Sequence, residues 1–185
     1  MKFSTINRVS IFSLTLLFST ICLMAEKDAS NRDDIDVIGS RIKNAGEDLM
    51  RYKNSGTTNA QNQAIEESWR KSMAAIATLV KDKEFSGLKT LFNKTQEFSD
   101  VVFNTAKMMF ALRDAGTGMD DRIKVVESLI KKQSEMKRFM LGQEIKSAFS
   151  FGKKEQYKKL KLIIEDDVMM CLHQKVNNMR NEVRK

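Results

Sequence analysis

His173 is the only histidine in this chain of 185 residues, and Cys22 and Cys171 are its two cysteines. Imidazole is the side chain that ligates haem and shuttles protons near neutral pH, so any chemistry would begin at His173. The metal and catalytic patterns that use histidine are incomplete, however. A di-iron helical site needs two Glu-x-x-His units and a zincin needs two histidines in HExxH, and one histidine supplies neither. A serine or cysteine nucleophile ordinarily has a histidine beside it. The stretch from Asp114 to Asp121 gathers acids and glycines in the manner of a calcium loop, but its twelfth position is Val125, where such loops place a bidentate Glu. No strand precedes a Gly-rich phosphate loop. The inventory points away from an enzyme and away from a resident cofactor or metal.

Methionine is the next residue type with chemical potential. Twelve are present, with Met108-Met109, Met136, Met140 and Met169-Met170 in the C-terminal two-thirds. Thioethers bind soft metals and form adaptable contact surfaces, while helical spacing explains Met109, Met136 and Met140 as core filling. A basic run, Lys153, Lys154, Lys158, Lys159 and Lys161, surrounds Tyr157 and is interrupted by Glu155 and followed by Glu165, Asp166 and Asp167. It reads as a solvated face, or as a surface for anionic lipid or glycan.

The elements that must carry these residues are helical. The chain contains no proline, its long segments are rich in Leu, Met, Lys, Glu, Gln and Ala, and strand-like alternation is not sustained in any window. Ile35, Ile38, Ile42, Ala45, Leu49 and Tyr52 predict a helix over 33–53. Ile65, Trp69, Met73, Ile76 and Val80 predict a second over 59–82, after turn formers from Asn54 to Thr58. A third over 87–114 carries Leu88, Leu91, Phe92, Phe98, Val102, Ala106, Met109 and Leu112, and Gly116 stands where a left-handed helix end costs least. Met119, Ile123, Val126, Ile130, Met136, Met140 and Ala148 line a fourth, which ends near Phe149 to Gly152. Tyr157, Leu160, Ile164, Val168 and Cys171 mark a fifth. Short connections between such segments predict an all-α fold, an antiparallel bundle of four to five helices.

At 100° per residue, Leu160, Ile164, Val168 and Cys171 cluster on one face of helix five, with His173, Leu162 and Met169 roughly opposite. A helix apolar on two faces is buried or paired with a partner. Leu162, Met169 and His173, together with the lysines of the basic run, are therefore the expected interaction surface, for an unidentified protein partner or for self-association.

Gly152-Lys153, Leu160-Lys161 and Leu172-His173-Gln174-Lys175 resemble the last helix of cytochrome b562-type periplasmic bundles. The resemblance implies a haem-ligating histidine at His173 and a methionine at the start of helix one. No methionine lies between Glu26 and Leu49, and Met50 stands at the other end of that helix, so the haem site is not carried over. A carrier of a hydrophobic or haem ligand inside the bundle is the alternative to a protein-binding function.

The amino terminus sets the compartment. Lys2 and Arg8 precede an apolar run from Ile11 to Met24, and no acid occurs before Glu26. This is the layout of a signal peptide, expected over residues 1–25 with cleavage after Ala25, leaving a single helical-bundle domain over 26–185. The run is short of the ~20 residues that span a bilayer, which makes a retained transmembrane anchor the weaker reading. Ile21 before Cys22 also makes lipidation at Cys22 the weaker reading. Removing two bases lowers the formal charge from +8, which stays positive. A secreted or periplasmic location argues against nucleic acid as the partner of that charge, and no nucleic-acid-reading motif is present. It leaves Cys171 as the one cysteine of the mature chain, which excludes a disulfide framework and CxxC chemistry. Asn93-Lys94-Thr95 would accept an N-glycan in a eukaryotic secretory pathway.

Overall fold

The computed structural model describes residues 34–54, 56–148 and 155–184. The expected signal peptide and Cys22, as well as Lys153 and Lys154 of the basic run, lie outside the described residues. The chain divides into two compact units, 1–37 and 38–185, and the account below concerns the second.

Among the described residues the fold is all-helical. Five helices pack against one another: α1 (34–51), α2 (Asn59–Leu79), α3 (Lys89–Asp114, entered through a 3₁₀ turn at Ser86–Leu88), α4 (Met119–Ala148), and a last helix built from α5 (Glu155–Leu162), a π turn (Ile163–Val168) and α6 (Met169–Glu182). α3 is the hub, touching α2, α4, the π turn and α6.

The boundaries follow local chemistry. α2 begins at a capping box, in which Gln61 N donates to Thr58 Oγ1 at 3.2 Å and Thr58 N donates to Gln61 Oε1 at 2.8 Å. α3 ends at Gly116, whose φ of 68° lets Thr117 N reach back to Leu112 O at 3.0 Å. α1 ends differently, with Lys53 itself left-handed at φ 57°. Its N–H donates to Asn62 Oδ1 at 2.6 Å, and the buried Asn62 amide donates in turn to Thr57 Oγ1 and Thr58 O. That asparagine ties the α1–α2 turn together and offsets the strain of a non-glycine residue in this region.

The core is the set of apolar stripes. Ile38, Ile42, Ala45, Leu49 and Tyr52 of the first segment are buried, as are Trp69, Met73 and Ile76 of α2 and Phe92, Phe98, Val102 and Met109 of α3. Tyr52 packs edge-on against Phe103 at 4.8 Å between ring centroids, and Trp69 Nε1 donates to Ser99 Oγ at 2.7 Å. The indole thus brings its one polar group into the core with a partner. α1 approaches the last helix closely along two glycines: a Cβ at Gly39 would stand 3.2 Å from Ile163 Cδ1, and one at Gly46 would overlap the Sγ of Cys171.

The last helix departs from the straight-wheel expectation. Its buried apolar residues include Tyr157, Leu160, Ile164, Val168, Leu172, Val176, Met179 and Val183, with four consecutive steps of four between Leu160 and Val176. A regular helix with 3.6 residues per turn would carry that series well around its axis. The π turn takes up one extra residue and turns the following helix back by about 100°. Met169 and His173, expected opposite the stripe, are rotated toward the neighbouring helices. Met169 is 2% exposed and packed in the core. Leu162, just before the π turn, is 54% exposed.

Candidate functional site

A groove of about 600 Å³ lies between α4 and the last helix, beside the π turn. Met140 and Leu141 line it from α4; Met169, Met170 and His173 line it from α6. Leu141 and Met170 are 60% and 53% exposed, large apolar side chains left in solvent on facing helices. Lys137, Glu165 and Asp166 add charge of both signs to its lining. Unbranched, polarisable thioethers let such a surface adapt to a partner's shape.

His173 sits half-buried at the inner side of this groove. Its ring lies 5.8 Å from that of Phe98, and Gln133 Nε2 is 2.9 Å from its Nδ1. With the amide N–H donating, Nδ1 is the acceptor and the imidazole is neutral. Burial lowers its pKa, and the Lys137 ammonium lowers it further, which keeps the ring uncharged at neutral pH. No group of three or more His, Cys, Asp or Glu side chains placed to hold a metal ion occurs among the described residues.

Of the basic run, Lys158 is exposed, while Lys159 and Lys161 are half-buried. Lys161 pairs with Glu165 at 3.2 Å one turn along. Cys171 is buried against Gly46; burial, then the nearby Asp167, pushes its thiol pKa up, which disfavours the reactive thiolate.

No family model, curated protein or solved structure matches this chain. No helix among the described residues is long and apolar enough to cross a membrane.

Two polar centres escaped the sequence reading. Glu66 accepts hydrogen bonds from Tyr52 Oη at 2.9 Å, Lys107 Nζ at 2.8 Å and Arg70 Nη2 at 2.9 Å, joining the end of α1 to α2 and α3. Burial opposes its ionisation, but the donors from Lys107, Arg70 and Tyr52 outweigh it and hold the carboxyl at about 2. Burial, then the hydrogen bond to Glu66, drives the Tyr52 hydroxyl upward. The second centre is Lys175, 1% exposed, whose Nζ donates to Tyr52 O at 2.5 Å and to Asn54 Oδ1 at 3.0 Å. A cation there complements the carbonyl end of α1, while burial lowers its pKa to about 8. A sequence signal for it existed: on the straight wheel Lys175 falls within the stripe of Leu160, Ile164 and Val168, where a solvated lysine has no place.

Proposed function

We propose that this chain is an exported helical bundle that acts by binding a protein partner, and that the groove between α4 and the last helix is the contact. The observation that carries this reading is the pair Leu141 and Met170, exposed on facing helices above a floor that includes Met140 and Met169. Burying two such side chains in a complex contributes on the order of 1.5–3 kcal/mol each. An apolar helix face laid between α4 and α6 is the partner geometry that fits a groove of this kind. Export rests on the amino-terminal charge and apolar run.

In this reading the bundle alternates in direction. Support comes from the pairings Glu66 with Lys107 and Trp69 with Ser99 between α2 and α3. Gln133 with His173, and Met140 with Met169 along the groove, support the same relation between α4 and the last helix. Gly39 beside Ile163, Gly46 beside Cys171 and Tyr52 beside Lys175 give α1 and the last helix a common direction, as the first and fifth members of an alternating bundle have.

The test is partner capture by the purified chain from the extracellular or periplasmic fraction, comparing parent and Leu141→Ser/Met170→Ser. Lost capture with unchanged circular dichroism supports the groove; undiminished capture overturns it. Light scattering of the purified chain identifies a second copy as the partner. N-terminal sequencing of the recovered protein checks export, with a chain beginning at Glu26 the expected result.

The carrier alternative draws its support from the same groove, whose volume is that of a small-molecule site and whose lining joins His173 to Met140, Met169 and Met170. An absorbance spectrum of protein from its native host separates the two readings.

A further inference from the structure

A second, smaller pocket of about 20 Å³ lies away from the groove, where the α1–α2 turn, α3, α4 and α6 meet. Its lining includes Lys53, Arg113, Arg122 and Lys175, set against the one carboxylate of Glu182. Four cations converging from four parts of the chain repel one another, and bundles do not assemble such clusters without something to offset the repulsion.

The individual side chains are held in place. Lys53 Nζ and Arg113 Cζ each sit 4.5 Å from the centroid of the Phe110 ring, so cation–π contacts anchor both. Arg113 has only a loose carboxylate, with Nε 3.7 Å from Asp114 Oδ1. Arg122 touches the sulfur of Met119 through Nη2 at 3.6 Å, and its Nε is buried without an acceptor among the described residues. Lys175 uses two of its three N–H donors on Tyr52 O and Asn54 Oδ1. Glu182 is exposed. A buried guanidinium N–H with no acceptor is a costly arrangement that an anion would relieve.

We propose that this pocket is an oxyanion site, in which Lys53, Arg113, Arg122 and Lys175 hold a phosphate or sulfate group, free or carried on a larger ligand. The enclosed space has room for about one water-sized group, hence for one oxygen of a tetrahedral anion. The remaining oxygens face the partly exposed Lys53 and Arg113. Guanidinium forks suit this geometry because two N–H groups can reach two oxygens of one group. Burial lowers the Lys175 pKa by more than the Glu182 carboxylate raises it, and an anion bound beside the ammonium raises it further.

The experiment is calorimetric titration of the full chain with inorganic phosphate at neutral pH, ionic strength being held constant with chloride. Saturable binding is expected, weakened about tenfold or more by Arg122→Gln and by Lys53→Gln. Lys124→Gln, at a neighbouring exposed lysine paired with Asp121 at 3.4 Å, leaves it unchanged. Both pocket variants alter side chains that are not fully buried, and circular dichroism confirms that they fold. A ¹³C-detected titration of the lysine side chains supplies a second readout, with the Lys175 midpoint moving up as phosphate is added. Tighter binding of phosphoserine than of inorganic phosphate assigns the site to a carried group, and the reverse order assigns it to the free ion. Absence of saturation, or equal affinity in parent and both variants, overturns the proposal.

Discussion

The end of the bundle around Lys175 and the groove below the π turn are built on opposite principles. At the first, long-range polar contacts fix each side chain: Lys175 reaches the carbonyl of Tyr52, the Tyr52 hydroxyl reaches Glu66, and Glu66 gathers Lys107 and Arg70. At the second, the hydrogen bond between Gln133 and His173 stands beside methionine and leucine side chains that pack without directional partners. The difference teaches where each region's specificity resides. The polar end tolerates little rearrangement, because a broken bond leaves a buried charge or carbonyl unsatisfied. The groove can repack at small cost.

This contrast is open to direct tests. The seam joining α1 to the last helix should be the most sensitive. Gly46→Ala is expected to destabilise the fold by about 2–3 kcal/mol in urea unfolding, since overlap with Cys171 exceeds the gain in helix propensity. Adding Cys171→Ala should recover at least about half of the loss, and an unchanged midpoint for Gly46→Ala alone would refute the close contact.

Next comes the pH dependence of the buried lysine. Its folded pKa of about 8 lies below the unfolded value of 10.5, so between these the unfolded chain holds the extra proton. Stability should therefore rise with pH across that window, by up to about 2–3 kcal/mol. Lys175→Met should flatten the rise, and a parent curve that falls through this range would contradict the burial of a charged amine.

Glu66 gives a slope of the same sign at the acid end. Its carboxyl, held at about 2 against a usual 4.5, contributes stability that is complete above pH 4.5 and lost as pH falls toward 2. Allowing for solvent screening, that amounts to about 1–2 kcal/mol. Glu66→Gln should remove this acid-side slope in unfolding curves recorded from pH 2 to 6.

The smallest effect belongs to the groove. Leu141→Ser/Met170→Ser should move the unfolding free energy by less than about 0.5 kcal/mol, because neither side chain is buried. A large loss would mean that these residues support the fold rather than await a partner.

Much of the fold was legible in the sequence. The expected α2 and α3, over 59–82 and 87–114, lie close to the observed Asn59–Leu79 and Lys89–Asp114. The glycine stop at Gly116 adopts the left-handed conformation anticipated for it. Such features depend on local propensity and on apolar spacing, which single residues reveal. The candidate site was harder to read. A wheel of constant pitch placed Met169 and His173 on an outer face, and only the run of fours from Leu160 to Val176 betrays the extra residue. Lys175 and Glu66 were passed over because lysine and glutamate ordinarily mark solvent. Their burial depends on partners more than 100 positions away for Lys175, and 41 for the Glu66–Lys107 bond. Lys53 and Arg122 likewise acquire meaning only when distant segments meet.

The π turn also makes the C-terminal half of the last helix a separately phased object. Because its orientation is set by residue count as well as by side-chain chemistry, inserting one further residue between Ile163 and Val168 would act like a twist of the downstream rod. That twist would swing Met169 and His173 toward solvent and take the Lys175 amine from the Tyr52 carbonyl. Substitutions tune the groove and the oxyanion pocket one at a time, whereas one added residue at this turn would misalign both at once.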